Sequence, residues 1–134
     1  MTKFLGKFSE QIYALLRIVA GWCFLLHGSQ KLLGWPGGGE TVAIASRAGI
    51  AGLIELVAGL LILLGLFASW AAFLASGERA VASWWVHAAQ GAPFFPRQNG
   101  GEPAVLYCFV FLLIAAKGAG TWSLASIFNK PALE

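Results

Sequence analysis

The chain has 134 residues, of which 58% are hydrophobic and only 11% are charged. Soluble domains carry about 25% charged residues, so this composition excludes an ordinary soluble domain and predicts an integral membrane protein in contact with the lipid bilayer. The net charge of +3 is small and the basic residues are scattered, which excludes a nucleic-acid footprint. The length predicts one domain, residues 1–134.

The first predicted membrane helix covers residues 9–33. Arg17 lies near its start, and His27, Gln30 and Lys31 lie near its end. Positions 23, 27, 30 and 31 recur at helical i, i+4, i+7 and i+8 spacing, so they share one face. The glycine- and proline-rich stretch that follows breaks the helix.

A glycine divides one long apolar run into the second and third predicted helices, which cover residues 41–66 and 67–90. Glu55 is the only charged residue between Arg47 and Glu78. An ionisable group near mid-membrane costs about 2.5–3.5 kcal/mol on insertion scales and is a functional-site candidate by default. Small residues on its side of the helix predict close packing against another helix. They are Ala48, Ala51, Gly52, Ala58 and Gly59.

The centre of the third predicted helix carries an adjacent pair of charged residues, Glu78 and Arg79, and His87 lies near its end. Both charged residues share stripes with alanines and serines, which again indicates packing faces. Adjacent residues project about 100° apart on a helix. We therefore expect one of the pair to contact Glu55 and the other to reach the first or fourth helix.

A loop containing Asn99 leads to the fourth predicted helix, residues 103–127. Glu102 precedes its first residue, Pro103, where a carboxylate suits the helix dipole. The fold class is therefore all-α, an integral membrane four-helix bundle. Four spans place both termini on one side of the membrane, and the basic residues on that side favour cytoplasmic termini. Those residues are Lys3, Lys7, Arg17, Lys117 and Lys130.

The polar side chains within the spans are predicted to outline a funnel open to the outer side. At 1.5 Å per residue, the histidines lie within roughly 10 Å of the outer boundary, with Glu55 and Glu78 about 15–20 Å deep. The candidate catalytic residues are Glu55, Glu78, His27 and His87. The candidate ligand-binding residues are Arg79, Arg47, Lys31, Gln30, Glu102, Asn99, Tyr107 and Trp22.

Structural explanations compete with these functional ones. The buried charges would also hold helices together, although interhelical polar contacts contribute only about 0.6–2 kcal/mol each, which hardly offsets three buried ionisable groups. The histidines would also serve as ordinary interfacial side chains. No H-x-x-x-H or E-x-x-H pattern occurs, so no metal is predicted.

Five motifs occur in order along the chain. They are Arg17-Ile-Val-Ala-Gly with His27-Gly-Ser-Gln-Lys-Leu, Glu55 with Gly59-Leu-Leu-Ile-Leu-Leu-Gly-Leu, Gly77-Glu78 with Ala82 and His87, Phe95-Pro96 with Asn99-Gly-Gly-Glu102 and Leu106-Tyr107-Cys108, and Gly120-Thr-Trp122-Ser123-Leu124. Together they resemble the motifs of the DoxX family of small inner-membrane proteins. One departure is Arg79, where relatives commonly carry an apolar residue such as Met.

The resemblance implies a multi-pass four-helix protein of the inner (cytoplasmic) membrane of a bacterium or archaeon. Relatives include the membrane subunit of a thiosulfate:quinone oxidoreductase. The expected function is therefore the membrane subunit of a redox complex, whose funnel binds a quinone or a small anionic donor. Glu55 or Glu78 would relay protons, the basic candidates would hold negative charge, and the aromatic candidates would flank a ring.

Two other functions stay open, and so does the question of whether the chain is an enzyme. The sequence has no haem, flavin or iron–sulfur motif, so the electron carrier would be a quinone or another subunit of a redox complex. One alternative is a non-catalytic scaffold, anchor or assembly partner within a homo- or hetero-oligomer. The other is a small-solute or proton-linked transporter, although no inverted repeat is visible.

Overall fold

The computed structural model describes residues 4–90 and 94–129, and every regular element within them is helical. The all-α class predicted from the sequence is confirmed for these residues. The α-helices in chain order are α1 (Ser9–Leu33), α2 (Arg47–Leu64), α3 (Ala68–Ala82), α4 (Pro96–Asn99), α5 (Glu102–Lys117) and α6 (Leu124–Ile127). A 3-10 turn, Gly6–Phe8, precedes α1.

Helix α1 covers the same residues as the first predicted helix, but α2 begins six positions later than expected. The Ser46 hydroxyl accepts a hydrogen bond from the Gly49 backbone N–H at 3.0 Å, which caps the first turn of α2. Before the cap, the Val42 N–H donates to the Lys31 carbonyl at 2.9 Å. The loop therefore folds back onto the end of α1 instead of starting a helix at residue 41.

The third and fourth helices also differ from the expectation. The α-helical geometry of α3 ends at Ala82, and a π-helical turn, Ser83–His87, and a 3-10 turn, Ala88–Gln90, continue it. Helix α5 ends at Lys117 and not at residue 127, because Gly118 adopts a backbone conformation with φ 77° that cannot continue a helix. The apolar composition beyond this glycine masked the break.

Helix α1 packs along α2, α3 packs along α5, and α2 joins the two pairs. The first pair meets at glycines: a Cβ added to Gly59 would lie 2.5 Å from the Leu25 backbone nitrogen, and one added to Gly28 would overlap the Gly52 carbonyl. The backbones of α1 and α2 are therefore in direct contact. This agrees with the close packing predicted from the small residues around Glu55.

The outer surface of the helices is strongly apolar. Two stretches in the described part of the chain, Gly6–Leu33 and Arg47–Leu64, are long and apolar enough to cross a membrane, by length and composition. Charged groups are buried instead, with Arg17 and Glu55 both 0% exposed. The exposed large apolar side chains include Leu15, Val19, Leu53, Val57, Leu60, Trp70, Phe73 and Phe109. Such an arrangement reverses the usual one of a soluble domain.

Candidate functional site

A fully buried carboxylate near the middle of α2 joins three helices. Glu55 Oε1 accepts hydrogen bonds from Lys31 Nζ of α1 at 2.6 Å and from Arg79 Nη2 of α3 at 2.5 Å. Both are ion pairs, and hydrogen bonds between charged groups are stronger than neutral ones. The contact of α1 with α2 at their glycines brings Lys31 within reach of Glu55.

Arg79 also binds its neighbour on α3. Its Nε donates to Oε2 of Glu78 and its Nη2 to Oε1, both at 2.5 Å, which makes a bidentate pair. The expectation that Arg79 or Glu78 pairs with Glu55 is met by Arg79. The expectation that the other reaches α1 or α5 is wrong, because the long arginine side chain serves both carboxylates.

We call Lys31, Glu55, Glu78 and Arg79 the Glu55 cluster. Its two carboxylates and two cations balance, so the cluster is neutral when all four groups are ionised. Oε2 of Glu55 is buried and has no hydrogen-bond partner among the described residues. An unmet buried acceptor costs about 1–3 kcal/mol. The cluster therefore has one strong acceptor that a proton or a ligand N–H or O–H group can satisfy.

Aromatic rings line one side of the cluster. The Arg79 guanidinium carbon lies 5.3 Å from the centroid of the Phe24 ring, within the range of cation–π attraction. Phe24 is fully buried and packs on Phe111 with centroids 4.6 Å apart, and Tyr107 stacks on Phe111 at 5.5 Å. We call Phe24, Tyr107 and Phe111 the aromatic wall.

His27 stands at the edge of this wall. Its ring meets Tyr107 edge-on with centroids 6.2 Å apart, and its side chain is exposed. It lies one helical turn before Lys31 on the same face of α1. The Lys31 side chain is 32% exposed, so the cluster reaches the surface on the side of His27.

A groove of ≈ 450 Å³ runs between α1 and α5 on the outer side of Tyr107. Its walls are almost entirely aliphatic, with the exposed Glu102 at the first turn of α5. The lining residues are Leu16, Val19, Ala20, Glu102, Pro103, Leu106, Tyr107 and Val110. Tyr107 therefore lines this groove and is also part of the aromatic wall beside the Glu55 cluster.

Several predicted site residues lie elsewhere. His87 packs against the turn before α5, where a Cβ added to Gly101 would lie 2.9 Å from the His87 Cβ. Asn99 stabilises the same turn, since its Oδ1 accepts from the Gly101 N–H at 2.8 Å. Arg47 lies over the Trp85 ring at 6.0 Å. None of these three contacts is with the Glu55 cluster.

Two further predicted residues point away from the cluster. Gln30 is exposed although it precedes Lys31, since neighbouring helical residues project in different directions. Trp22 is 44% exposed because the preceding Gly21 packs against the backbone of α2. The structure thus brings together Glu55, Glu78, Arg79 and Lys31, with His27 and Tyr107 beside them, and leaves out His87, Arg47, Gln30, Asn99 and Trp22.

The sequence did not single out Phe24, and it did not predict the buried interactions of Arg17. Phe24 supports Arg79, and its i, i+3, i+7 spacing with His27 and Lys31 was the available signal. Arg17 is 0% exposed and donates to the carbonyls of Ile62 at 2.6 Å and Leu63 at 2.8 Å. The signal for Arg17 was a charged residue eight positions inside an apolar helix. In the sequence it was counted only among the basic residues that favour cytoplasmic termini.

An apolar exterior around buried ion pairs defines this chain as a helical membrane protein. The DoxX family model matches residues 12–88, and the chain belongs to the DoxX family. An uncharacterized protein of Haemophilus influenzae is 42% identical over 130 residues, covering 94% of this chain and 97% of that protein. No solved structure matches. DoxX proteins are membrane proteins often associated with redox complexes.

Proposed function

We propose that this chain is the quinone-binding membrane subunit of a redox complex and that the Glu55 cluster holds the head group. The observation that carries the proposal is Oε2 of Glu55, a buried acceptor with no partner in the described chain. It lies on a carboxylate already fixed by Lys31 and Arg79, so its position is set before any ligand arrives. The hydroxyl groups of a quinol donate hydrogen bonds, which such an oxygen accepts.

The neutral charge of the cluster supports a quinone over a small anionic donor. Lys31 and Arg79 are each already paired with a carboxylate, so an anion would have to displace Glu55 or Glu78 from a cation. A quinone is uncharged and needs no such exchange. Its flat ring also suits the aromatic wall, where offset stacking is favourable.

A bound quinone would supply the two-electron chemistry, and the residues of this chain would handle protons and orientation. Glu55 Oε2 accepts a hydrogen bond or a proton, and the partly exposed Lys31 ammonium keeps a free N–H for a carbonyl oxygen. His27 is exposed next to the cluster and exchanges protons with the surface. Glu78 holds Arg79 in its bidentate geometry and acts as a positioning residue.

The proposed setting is the inner membrane of a bacterium or archaeon, crossed four times with cytoplasmic termini. Helices α1 and α2, α3 with its continuation to Gln90, and α5 would be the four spans of the bundle. The exposed apolar side chains along them support lipid contact. Electrons would pass to or from another subunit, so we expect a hetero-oligomer.

Binding of a short-chain quinone analogue to the purified protein in nanodiscs tests the proposal. Glu55→Gln keeps the shape of the side chain but weakens its oxygen as an acceptor, and we expect affinity to fall about tenfold, or about 1.4 kcal/mol. His27→Gln, at an exposed position, should slow proton exchange without loss of folding. The matched control is Glu10→Gln, an exposed glutamate whose only ion pair in the described chain is with Lys117 at 3.5 Å.

Equal affinity in the wild type, Glu55→Gln and Glu10→Gln would refute the proposal. So would the absence of binding in a wild type whose thermal unfolding shows that it is folded. In the second case, recovery of a stoichiometric partner with no bound quinone would favour a non-catalytic scaffold.

A further inference from the structure

The seam between α1 and α5 is more open than the contacts of α1 with α2 and of α3 with α5. Because α1 packs along α2 and α5 along α3, few contacts join α1 to α5 directly. The groove of ≈ 450 Å³ occupies this seam. Ligand sites in proteins have volumes of about 300–1,000 Å³, so the groove is large enough for part of a small molecule.

The walls of the groove suit an uncharged aliphatic chain. Leu16 and Val19 of α1 face Leu106 and Val110 of α5, and none of these side chains has a hydrogen-bonding group. Tyr107 adds a ring that stacks on Phe111 with centroids 5.5 Å apart. An occupant therefore meets only methyl and methylene groups along most of its length.

The charge at the groove's end selects between two kinds of chain. Glu102 is exposed at the first turn of α5 and lines the groove there. Its carboxylate disfavours a lipid with a net negative head group, whereas an isoprenoid chain on a neutral ring brings no like charge to it. The groove thus favours an isoprenoid chain over the acyl chain of an anionic phospholipid.

Tyr107 connects the groove to the Glu55 cluster. One face of its ring stacks on Phe111, its edge meets His27, and it also lines the groove. A molecule with a polar ring at the cluster and a long apolar tail would have the tail leave past Tyr107 into the groove. Continuity through one residue makes the two parts a single site.

We infer that the groove between α1 and α5 takes the isoprenoid tail of the quinone whose head group the Glu55 cluster binds. This inference rests on the proposed function and sharpens its substrate class to long-chain, membrane-soluble quinones. The tail-less head group alone is then an incomplete ligand.

A quinone with a photoreactive group on its tail tests the inference in nanodiscs, with labelled residues read by mass spectrometry. We expect labels on Leu16, Val19, Leu106 and Val110 at about tenfold the level on Phe109, which is 66% exposed on the same helix and lies outside the groove. Leu106→Trp, at a position 61% exposed, should fill the groove and lower the labelling. Phe109→Trp is the matched control and should leave it unchanged.

The arms of the experiment separate the tail site from the head site. Labelling of the groove that excess tail-less quinone competes away supports both. Labelling that persists in Glu55→Gln and resists that competitor supports the groove as a tail site and counts against the proposed function alone. Labels spread evenly over Phe109 and the groove overturn the inference, as does equal labelling of the groove by an anionic phospholipid with a photoreactive acyl chain.

Discussion

Two regions of this protein bury charged side chains, and they satisfy the hydrogen-bonding groups of those side chains in different ways. Arg17 donates to main-chain carbonyls, at 2.6 Å to Ile62, 2.8 Å to Leu63 and 2.8 Å to Trp122. Glu55 instead accepts from the side chains of Lys31 and Arg79. Main-chain acceptors are fixed once the helices form, whereas side-chain partners can rearrange.

Each region also leaves one buried polar atom without a hydrogen-bond partner in the described residues, Arg17 Nε and Glu55 Oε2. The two atoms differ in their surroundings. The guanidinium of Arg17 lies at the carbonyl end of α2, where the helix dipole favours a cation, and its neighbours are backbone. Oε2 of Glu55 belongs to a cluster that reaches the surface at Lys31. Burial of charge alone therefore does not distinguish the two regions, whereas the nature of their partners does.

The largest expected effect is that of Arg17→Leu, which should destabilise the fold by about 3–5 kcal/mol, since each buried carbonyl left unmet costs about 1–3 kcal/mol. Thermal unfolding in detergent measures it. The control is Arg47→Leu, whose side chain is exposed and contacts only the Trp85 ring in the described chain. A drop in quinone affinity with unchanged unfolding in Arg17→Leu would make Arg17 part of the binding site and break the comparison.

Gly59→Ala should have the next largest effect, because both regions depend on the contact of α1 with α2. The new Cβ would lie 2.5 Å from the Leu25 nitrogen, and separating two backbones to admit it costs about 1–3 kcal/mol. The measurement is again the unfolding midpoint. Gly77→Ala is the matched control on α3: nothing lies within 4 Å of its added Cβ, so it should stabilise the helix by about 0.5–1 kcal/mol. A similar change in both variants would exclude direct backbone contact.

How much of each region could be predicted from the sequence depends on the kind of interaction that the region makes. The position of Glu55 within a long apolar run and the small residues around it were sufficient to predict a buried carboxylate facing another helix. The bidentate pair of Arg79 with Glu78 was not predicted, because helical projection describes the Cβ direction and not the reach of a long side chain. His87 lies against Gly101, and the π-helical geometry of Ser83–His87 that positions it there has no periodic signal in the sequence.

Arg17 illustrates a different limit. Its partners Ile62, Leu63 and Trp122 are backbone carbonyls, which every residue possesses, so no side-chain pattern indicates them. The break at Gly118 that allows the chain to return to Arg17 was present in the sequence as a pair of closely spaced glycines. The apolar residues on either side outweighed that signal and extended the predicted fourth helix to residue 127.

Within the Glu55 cluster, Arg79→Met should have an intermediate effect. It removes the group shared by Glu55 and Glu78 and leaves two carboxylates with Lys31 alone. We expect a loss of about 1–3 kcal/mol in stability, because Glu55 keeps Lys31 as a partner while Glu78 loses its ion pair with Arg79. Unfolding by heat measures it against Arg97→Met, an exposed arginine on α4. If Arg79→Met unfolds as readily as Arg17→Leu, the cluster is as structural as the Arg17 region.

The smallest effect on stability is expected for Lys31→Met, and it separates the two regions most sharply. The Lys31 side chain is 32% exposed although Glu55 is fully buried, and Arg79 still pairs with Glu55 after Lys31 is removed, so we expect a loss of about 1 kcal/mol, less than that of Arg79→Met. Its removal nevertheless leaves the cluster with one excess negative charge and without the N–H proposed for a carbonyl oxygen. We therefore expect quinone affinity to fall about tenfold while the unfolding midpoint falls less than in Arg79→Met. Lys117→Met, which removes the exposed pair with Glu10, should change neither quantity. Loss of stability without loss of affinity in Lys31→Met would assign the cluster to folding and leave the protein with two structural charge sites.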